Sequence, residues 1–376
     1  MGFRQLEAIT ELIKTPYYLI DKSKLKQNME RIAYVREHSG AKALLALKCF
    51  ATWSVFDFMS EYMDGTTSSS LNEVKLGRLK FGGETHAYSV AYADDEIEEV
   101  LSNADKIIFN SISQLTRFSD ASNDTVRGLR LNPGVSSSDF LIADPSRPFS
   151  RLGEWDADKI EAILPLISGF MIHNNCENGD FALFDGMLQQ IEERFGHLLQ
   201  QVEWVSLGGG IHFTGDDYPL DQFCARLKAF SRKYGVQVYL EPGEAAITMS
   251  TSLEVTVLDT LYNGKQLAVV DSSIEAHMLD LLIYRQDAKM EPCAGPHQYM
   301  VCGKSCLAGD IFGEFQFDRE LNVGDRLSFI DAAGYTMVKK NWFNGVNMPA
   351  IAIKQLDGEV QVVREFGFQD YLESLS

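Results

Sequence analysis

Two hydrophobic rhythms alternate along the chain as far as Pro242. Short apolar runs of strand length occur at Lys42–Lys48, Tyr62–Thr66, His86–Val90, Lys106–Phe109, Arg127–Asn132, Ser168–His173, Val202–Leu207 and Val236–Leu240. Between them lie stretches with apolar residues at helical spacing, among them Leu71–Leu79, Asp94–Ser102, Asp156–Leu164, Asp180–Phe195 and Leu220–Tyr234. Near-continuous apolar runs mark strands covered on both faces, as in parallel sheets, and amphipathic helices supply the cover. This succession predicts an α/β fold built on a (β/α)8 barrel of the TIM type. A doubly wound open sheet shows the same local pattern, because closure depends on pairing between distant strands.

After Pro242 the spacing tightens. Strand patterns at Leu253–Leu258, Gln266–Val270, Gln298–Val301, Arg326–Ile330 and Val360–Val363 follow with turns between them. Asn263-Gly264 and Asp357-Gly358 are hairpin dipeptides. The region predicts a second, mostly antiparallel β domain, and the strand-like Thr15–Asp21 is placed with it. The expected division is a barrel over residues 24–246 and a β domain from 1–23 plus 247–376.

Composition narrows the partners. Hydrophobic residues make up 45% and charged residues 23% of the 376, the profile of a globular chain large enough for two cores. A net charge of −19 disfavours nucleic acid and anionic membrane surfaces, and it suits a small cationic substrate. No apolar run reaches the length of a membrane span, and Met1–Ile20, with Glu7 and Glu11, lacks a signal-peptide core. Six scattered cysteines are no disulfide framework, which predicts a reducing cytoplasm. Cys302-x3-Cys306 has no second Cys or His pair, so no metal site is expected.

The candidate chemistry gathers at strand ends. Ala43–Leu47 is an uncharged run that meets a single lysine, Lys48. In a barrel that position faces the catalytic mouth, and an amine in apolar surroundings becomes a carbonyl-reactive nucleophile able to form a Schiff base. Taken alone, such a lysine more often reaches into solvent. Ser206-Leu207-Gly208-Gly209-Gly210 follows the seventh strand pattern, where barrels build phosphate sites from backbone N–H groups. Glu241, in Glu241-Pro242-Gly243-Glu244, ends the eighth beside the first. A lysine, a phosphate cradle and a carboxylate at one mouth suggest pyridoxal 5'-phosphate, the carboxylate keeping the pyridine nitrogen protonated. Such a ring accepts electrons from a carbanion, which favours decarboxylation.

Other residues are open to two readings. His173, in His173-Asn174-Asn175-Cys176-Glu177-Asn178, either lies against a cofactor ring or is structural. Arg151, in Ser150-Arg151-Leu152-Gly153, is a candidate for a cofactor oxygen or a substrate carboxylate. Cys302-Gly303-Lys304-Ser305-Cys306-Leu307-Ala308-Gly309-Asp310 holds thiols that could donate a proton or could be buried and inert. Tyr335, in Gly334-Tyr335-Thr336, either offers a hydroxyl to the phosphate or packs.

In this order the motifs resemble those of the fold-type III pyridoxal-phosphate decarboxylases, a family that includes ornithine and diaminopimelate decarboxylases, with alanine racemase as a relative. The resemblance spans nearly the whole chain. It implies Lys48 as the Schiff-base lysine, His173 as the residue stacked on the ring, Gly208, Gly209 and Gly210 at the phosphate, and Glu241 at the pyridine nitrogen. It further implies Tyr335 on the phosphate side and Cys306 as the proton donor, supplied across a homodimer interface by the other subunit.

Two positions depart from the better-known members. Those read E-P-G-R where Glu244 stands here, and they carry an acidic residue after the cysteine where Leu307 stands here. Within the family the chain is most similar to the branch that decarboxylates carboxylated polyamines. That likeness points to Glu244, Asp280 and Asp310 as substrate-binding residues, with Asp280 in a loop near the barrel mouth. The competing expectations are a diaminopimelate or ornithine-type decarboxylase, a cofactor-binding regulator without turnover, and an unrelated metal-dependent barrel hydrolase.

Overall fold

The computed structural model describes residues 13–376. Residues 1–12, with Glu7, Glu11 and the start of the segment assigned to the β domain, lie outside the described residues. Strand β1 (Tyr17–Asp21) leads into the helix Lys22–Ser39. Next come β2 (Lys42–Ala46), β3 (Gly65–Ser68), β4 (Glu84–Ser89), β5 (Lys106–Phe109), β6 (Val126–Leu131), β7 (Gly169–Ile172), β8 (Trp204–Ser206) and β9 (Gln237–Leu240). These eight form a closed parallel barrel, β2 through β9. The pairs Lys42↔Tyr239 and Ala43↔Leu240 close it, which excludes the open sheet.

The barrel interior explains several sequence choices. Leu44, Tyr88, Ile108, Met171, Trp204 and Tyr239 pack there as one cluster. A Cβ on Gly169 would fall 2.0 Å from the Trp204 ring, so glycine on β7 makes room for the indole of β8. Outside, the helix Leu220–Tyr234 buries Phe223, Cys224, Leu227, Phe230 and Tyr234, a stripe at helical spacing. Fully burying one such Phe or Leu contributes roughly 1.5–3 kcal/mol. Gly235, at φ 68°, ends that helix in the left-handed conformation.

β3 lies later than the Tyr62–Thr66 expected. Its Gly-Thr-Thr-Ser sequence is wholly buried without being aliphatic, so a search for apolar runs stops short of it.

The second compact unit comprises the described residues up to Gln27 together with Ile247–Ser376, and the barrel unit is Asn28–Ala246. The strands of the second unit are β1, β10 (Thr251–Tyr262), β11 (Gln266–Val270), β12 (Lys289–Met290), β13 (His297–Cys302), β14 (Ile311–Phe317), β15 (Arg326–Ile330), β16 (Ala350–Lys354) and β17 (Val360–Arg364). They form a sheet ordered β14-β13-β11-β10-β1-β16-β17, with β15 beside β10 and β12 beside β15. Most neighbours are antiparallel, as expected. β1 is an inner strand, antiparallel to β10 and parallel to β16. β10 serves three neighbours because a bulge between Val257 and Asp259 divides it; its first half pairs with β1 and β15, its second with β11. Strands β14 and β16 were not expected. Gly313 interrupts the first, and the Ala-rich second is held by non-local pairing with β1.

Candidate active site

Barrel strands end at a common face, and residues from their last stretches and from just beyond those ends line one cavity. Its wall is Ala46, Lys48, Thr67, Ser68, Ser69, Tyr88, Arg130, Met171, His173 and Glu241. Lys48 sits in the turn after β2, past the strand end rather than in it. Its side chain keeps surface on the cavity space, while the protein around it decides its charge. Burial, with the neighbouring Arg130 cation second, lowers its pKa from the ordinary lysine value.

His173 follows β7 directly, and its Nε2 lies 3.4 Å from Lys48 Nζ. The backbone N–H of Gly209 donates to its Nδ1 at 3.2 Å. Burial first, then the charges of Lys48 and Arg130, push the imidazole pKa well below its usual value. The ring is therefore neutral, with its proton on Nε2.

The glycine run after β8 is shaped by its surroundings. Gly208 and Gly210 have φ of 68° and 80°, and Cβ atoms on Gly209 and Gly210 would lie 2.2 and 2.1 Å from the carbonyl oxygens of Glu241 and Asn175. Any side chain here displaces backbone. Of the three N–H groups, two serve inside the protein: Gly208 donates to Ser206 Oγ at 3.2 Å and Gly209 to His173. The loop thus organises its neighbours.

Glu241, one residue past β9, is 8% exposed and accepts the Ser206 hydroxyl at Oε1, 2.5 Å away. Across the cavity, Arg130 is 4% exposed; it donates to the Tyr88 hydroxyl at 2.7 Å and the His173 carbonyl at 3.3 Å. Tyr88 donates in turn to Asn110 Oδ1 at 2.9 Å, and burial raises its pKa.

The arginine expectation needs correction. Arg151 is exposed and does not line the cavity. Its carbonyl accepts from Asn110 Nδ2 at 2.7 Å, and the N–H of Gly153 reaches Asn110 Oδ1 at 2.9 Å. The Ser150–Gly153 segment therefore braces Asn110 and Tyr88, and Arg130 is the guanidinium at the site. A charged residue inside the Arg127–Asn132 strand pattern was the signal for it, since a buried arginine needs a built set of partners.

Glu244 begins the short helix Glu244–Ile247, half-buried, with His212 Nε2 3.4 Å from its Oε2. The remaining candidates belong to the β unit. Cys306 is exposed on the loop between β13 and β14, and its N–H donates to Asn344 Oδ1 at 2.6 Å. Asp310, 3% exposed, is turned inward: Oδ1 accepts the Ile274 N–H at 2.8 Å and Oδ2 the Ser305 N–H at 3.0 Å. In this arrangement it ties the cysteine loop to the Ile274 segment instead of presenting a free carboxylate to substrate. Asp280 is not in a loop; it lies in the first turn of the helix Leu279–Tyr284, ion-paired with Lys339. The Lys339 ammonium also lies 5.2 Å from the ring centre of Tyr335, whose φ is 51°.

The barrel-mouth set combines a lysine amine, a neutral imidazole, a tight glycine loop and a buried carboxylate. No protein-family model matches the chain. A carboxynorspermidine/carboxyspermidine decarboxylase of Herminiimonas arsenicoxydans is 64% identical over 97% of this chain and 100% of its own length. The carboxynorspermidine decarboxylase of Campylobacter jejuni, solved in complex with norspermidine, is 38% identical; the likeness covers 96% of this chain and 100% of that one, with a TM-score of 0.89. A carboxyaminopropylagmatine decarboxylase of Synechocystis is 35% identical over 96% of each chain.

Proposed function

The chain belongs to the carboxynorspermidine/carboxyspermidine decarboxylase family, and from that membership we propose that it removes the α-carboxyl group of carboxynorspermidine or carboxyspermidine in polyamine biosynthesis, using pyridoxal 5'-phosphate. One observation carries the reading: Lys48, His173 and Glu241 wall a single cavity beside the glycine loop. These residues fit the cofactor. The loop is a cradle that a Cβ at Gly209 or Gly210 would fill, and the donor set matches an aldehyde, a phosphate and a pyridine nitrogen. When bound, pyridoxal phosphate supplies a sink for the electron pair left as the Cα–CO2 bond breaks.

The chain's own residues do the rest. Lys48 Nζ, with its ammonium form disfavoured, holds a lone pair for carbonyl chemistry. Gly210 N–H, with Gly208 and Gly209 shaping the loop, would receive the phosphate, and Tyr335 would serve the phosphate side. The neutral His173 ring would lie against the cofactor ring. Glu241 Oε2 would accept from the protonated pyridine nitrogen, since Oε1 is committed to Ser206. Arg130 stands over the cavity wall as a fixed positive charge. Glu244 and Asp280 hold the substrate's distal ammonium groups, and Cys306 Sγ of the partner subunit returns a proton to Cα in a homodimer. Six free cysteines support work in a reducing cytoplasm.

The test is mass spectrometry of products from purified enzyme, cofactor and a panel of amino acids. Carboxynorspermidine or carboxyspermidine should lose CO2 fastest. Faster turnover of carboxyaminopropylagmatine, meso-diaminopimelate or ornithine overturns the substrate assignment, and no turnover of any overturns the activity.

A further inference from the structure

We infer that Ser206 is a positioning residue, its hydroxyl coupling the carboxylate of Glu241 to the glycine loop so that both ends of the cofactor site are set by one group. The inference rests on the cofactor reading above. Ser206 is fully buried at the end of β8, and Glu241 is nearly so. Gly208 donates its N–H to Ser206 Oγ at 3.2 Å, which occupies a lone pair and turns the hydroxyl proton away from the loop. That proton meets Glu241 Oε1 at 2.5 Å. The Ser206 hydroxyl thus accepts from the Gly208 N–H, which can only donate, and gives its own proton to Glu241 Oε1.

Two further links make the unit rigid. The Glu241 N–H donates to the Gly208 carbonyl at 2.8 Å, and the missing side chain of Gly209 leaves space that the Glu241 carbonyl fills. An O–H donated to a buried carboxylate fixes its rotamer. With Oε1 held by Ser206, Glu241 presents Oε2 as the remaining acceptor. The serine touches neither substrate nor reacting atoms. It acts through Glu241 on the pyridine nitrogen and through Gly208 on the phosphate end.

The experiment loads wild type, Ser206→Ala and Ser206→Cys with pyridoxal phosphate labelled with 15N in the ring, and follows the ring-nitrogen resonance against pH. A charge-assisted hydrogen bond predicts that Ser206→Ala lowers the pH of half-protonation by about one unit and weakens cofactor binding by about tenfold. Its kcat should fall while KM for substrate stays within about twofold. The cysteine fills the same space but donates poorly, and should lie between. A loaded Ser206→Ala enzyme whose nitrogen titrates like wild type overturns the inference alone. So does a cysteine variant indistinguishable from wild type, which would make volume the relevant property. Wild type that takes up no cofactor overturns the cofactor reading and this inference with it.

Discussion

His173 Nε2 and Lys48 Nζ stand 3.4 Å apart, with the far side of the imidazole held by the Gly209 N–H. Because Nδ1 accepts from a backbone donor, the neutral ring carries its proton on Nε2 and points it at the amine. A hydrogen bond there requires a lone pair on Nζ. Burial and the Arg130 cation lower the Lys48 pKa, and an imidazole N–H facing Nζ acts in the same direction.

This relationship predicts when Lys48 reacts. Cofactor-free protein should capture pyridoxal phosphate with a rate that levels off below the pH at which an ordinary lysine deprotonates. Borohydride reduction and peptide mapping should place the pyridoxyl mass on Lys48 and leave Lys42 unmodified. Arg130→Gln removes a cation that depresses the Lys48 pKa, so its capture profile should move to higher pH. A profile that stays put in this variant, or labelling of Lys42, would contradict the assignment.

The proposed sharing of the site between two subunits makes a quantitative prediction. Lys48→Ala and Cys306→Ala proteins should each be inactive, and mixing them should restore activity. Random re-pairing puts half the chains in mixed dimers with one intact site each, so about a quarter of wild-type turnover is expected. Mixed dimers that form, as read by native mass spectrometry, without regained turnover would sink the arrangement.

Specificity should depend on Glu244 and its neighbour His212. Glu244→Gln should lower kcat/KM for carboxynorspermidine about ten- to a hundredfold, the cost of one charge-assisted hydrogen bond to a desolvated ammonium. The loss should appear in KM, with the cofactor spectrum unchanged. Glu244→Arg should be worse, and Asp280→Asn should behave like Glu244→Gln. Unaltered kinetics in both neutral variants would place those carboxylates outside the substrate pocket.

The β unit should be acid-sensitive through His277. This histidine is fully buried; Nδ1 contacts Ser272 Oγ at 2.8 Å, and Nε2 has no hydrogen-bond partner. Burial, and secondarily Lys340, lowers its pKa from 6.5 to about 3. Below about pH 6.5 the unfolded chain binds a proton that the folded chain refuses, so stability is full above that pH and falls progressively toward pH 3. Burial depresses His86 in the same direction. Thermal melts from pH 7.5 to 4.5 should show Tm falling, with a shallower slope in His277→Gln whatever its absolute Tm. An identical slope would assign the acid response to other groups.

Much of the molecule was legible because the relevant signals are local. A buried strand announces itself through apolar residues, and residues that follow its carboxyl end inherit a place at the barrel mouth. That logic located Lys48, His173, the glycine run and Glu241 at successive strand ends before any pairing was known. The same logic fails where burial is achieved without aliphatic side chains, as in the Gly-Thr-Thr-Ser of β3. It also fails where a strand exists only because a distant one pairs with it, as with β16 against β1.

By itself, then, the sequence determined the alternation of strands and helices, the change to antiparallel β structure after Pro242, and which short motifs end each barrel strand. These follow from side-chain period and turn chemistry within a few residues. Only the tertiary structure decided that β9 closes on β2, that Arg130 and not Arg151 enters the cavity, and that Asp310 faces inward while Asp280 pairs with Lys339. It also decided the polarity of the hydrogen bonds from Gly208 through Ser206 to Glu241. Each of these depends on which side of a strand, loop or helix meets a partner far away in the chain, and no local pattern carries that information.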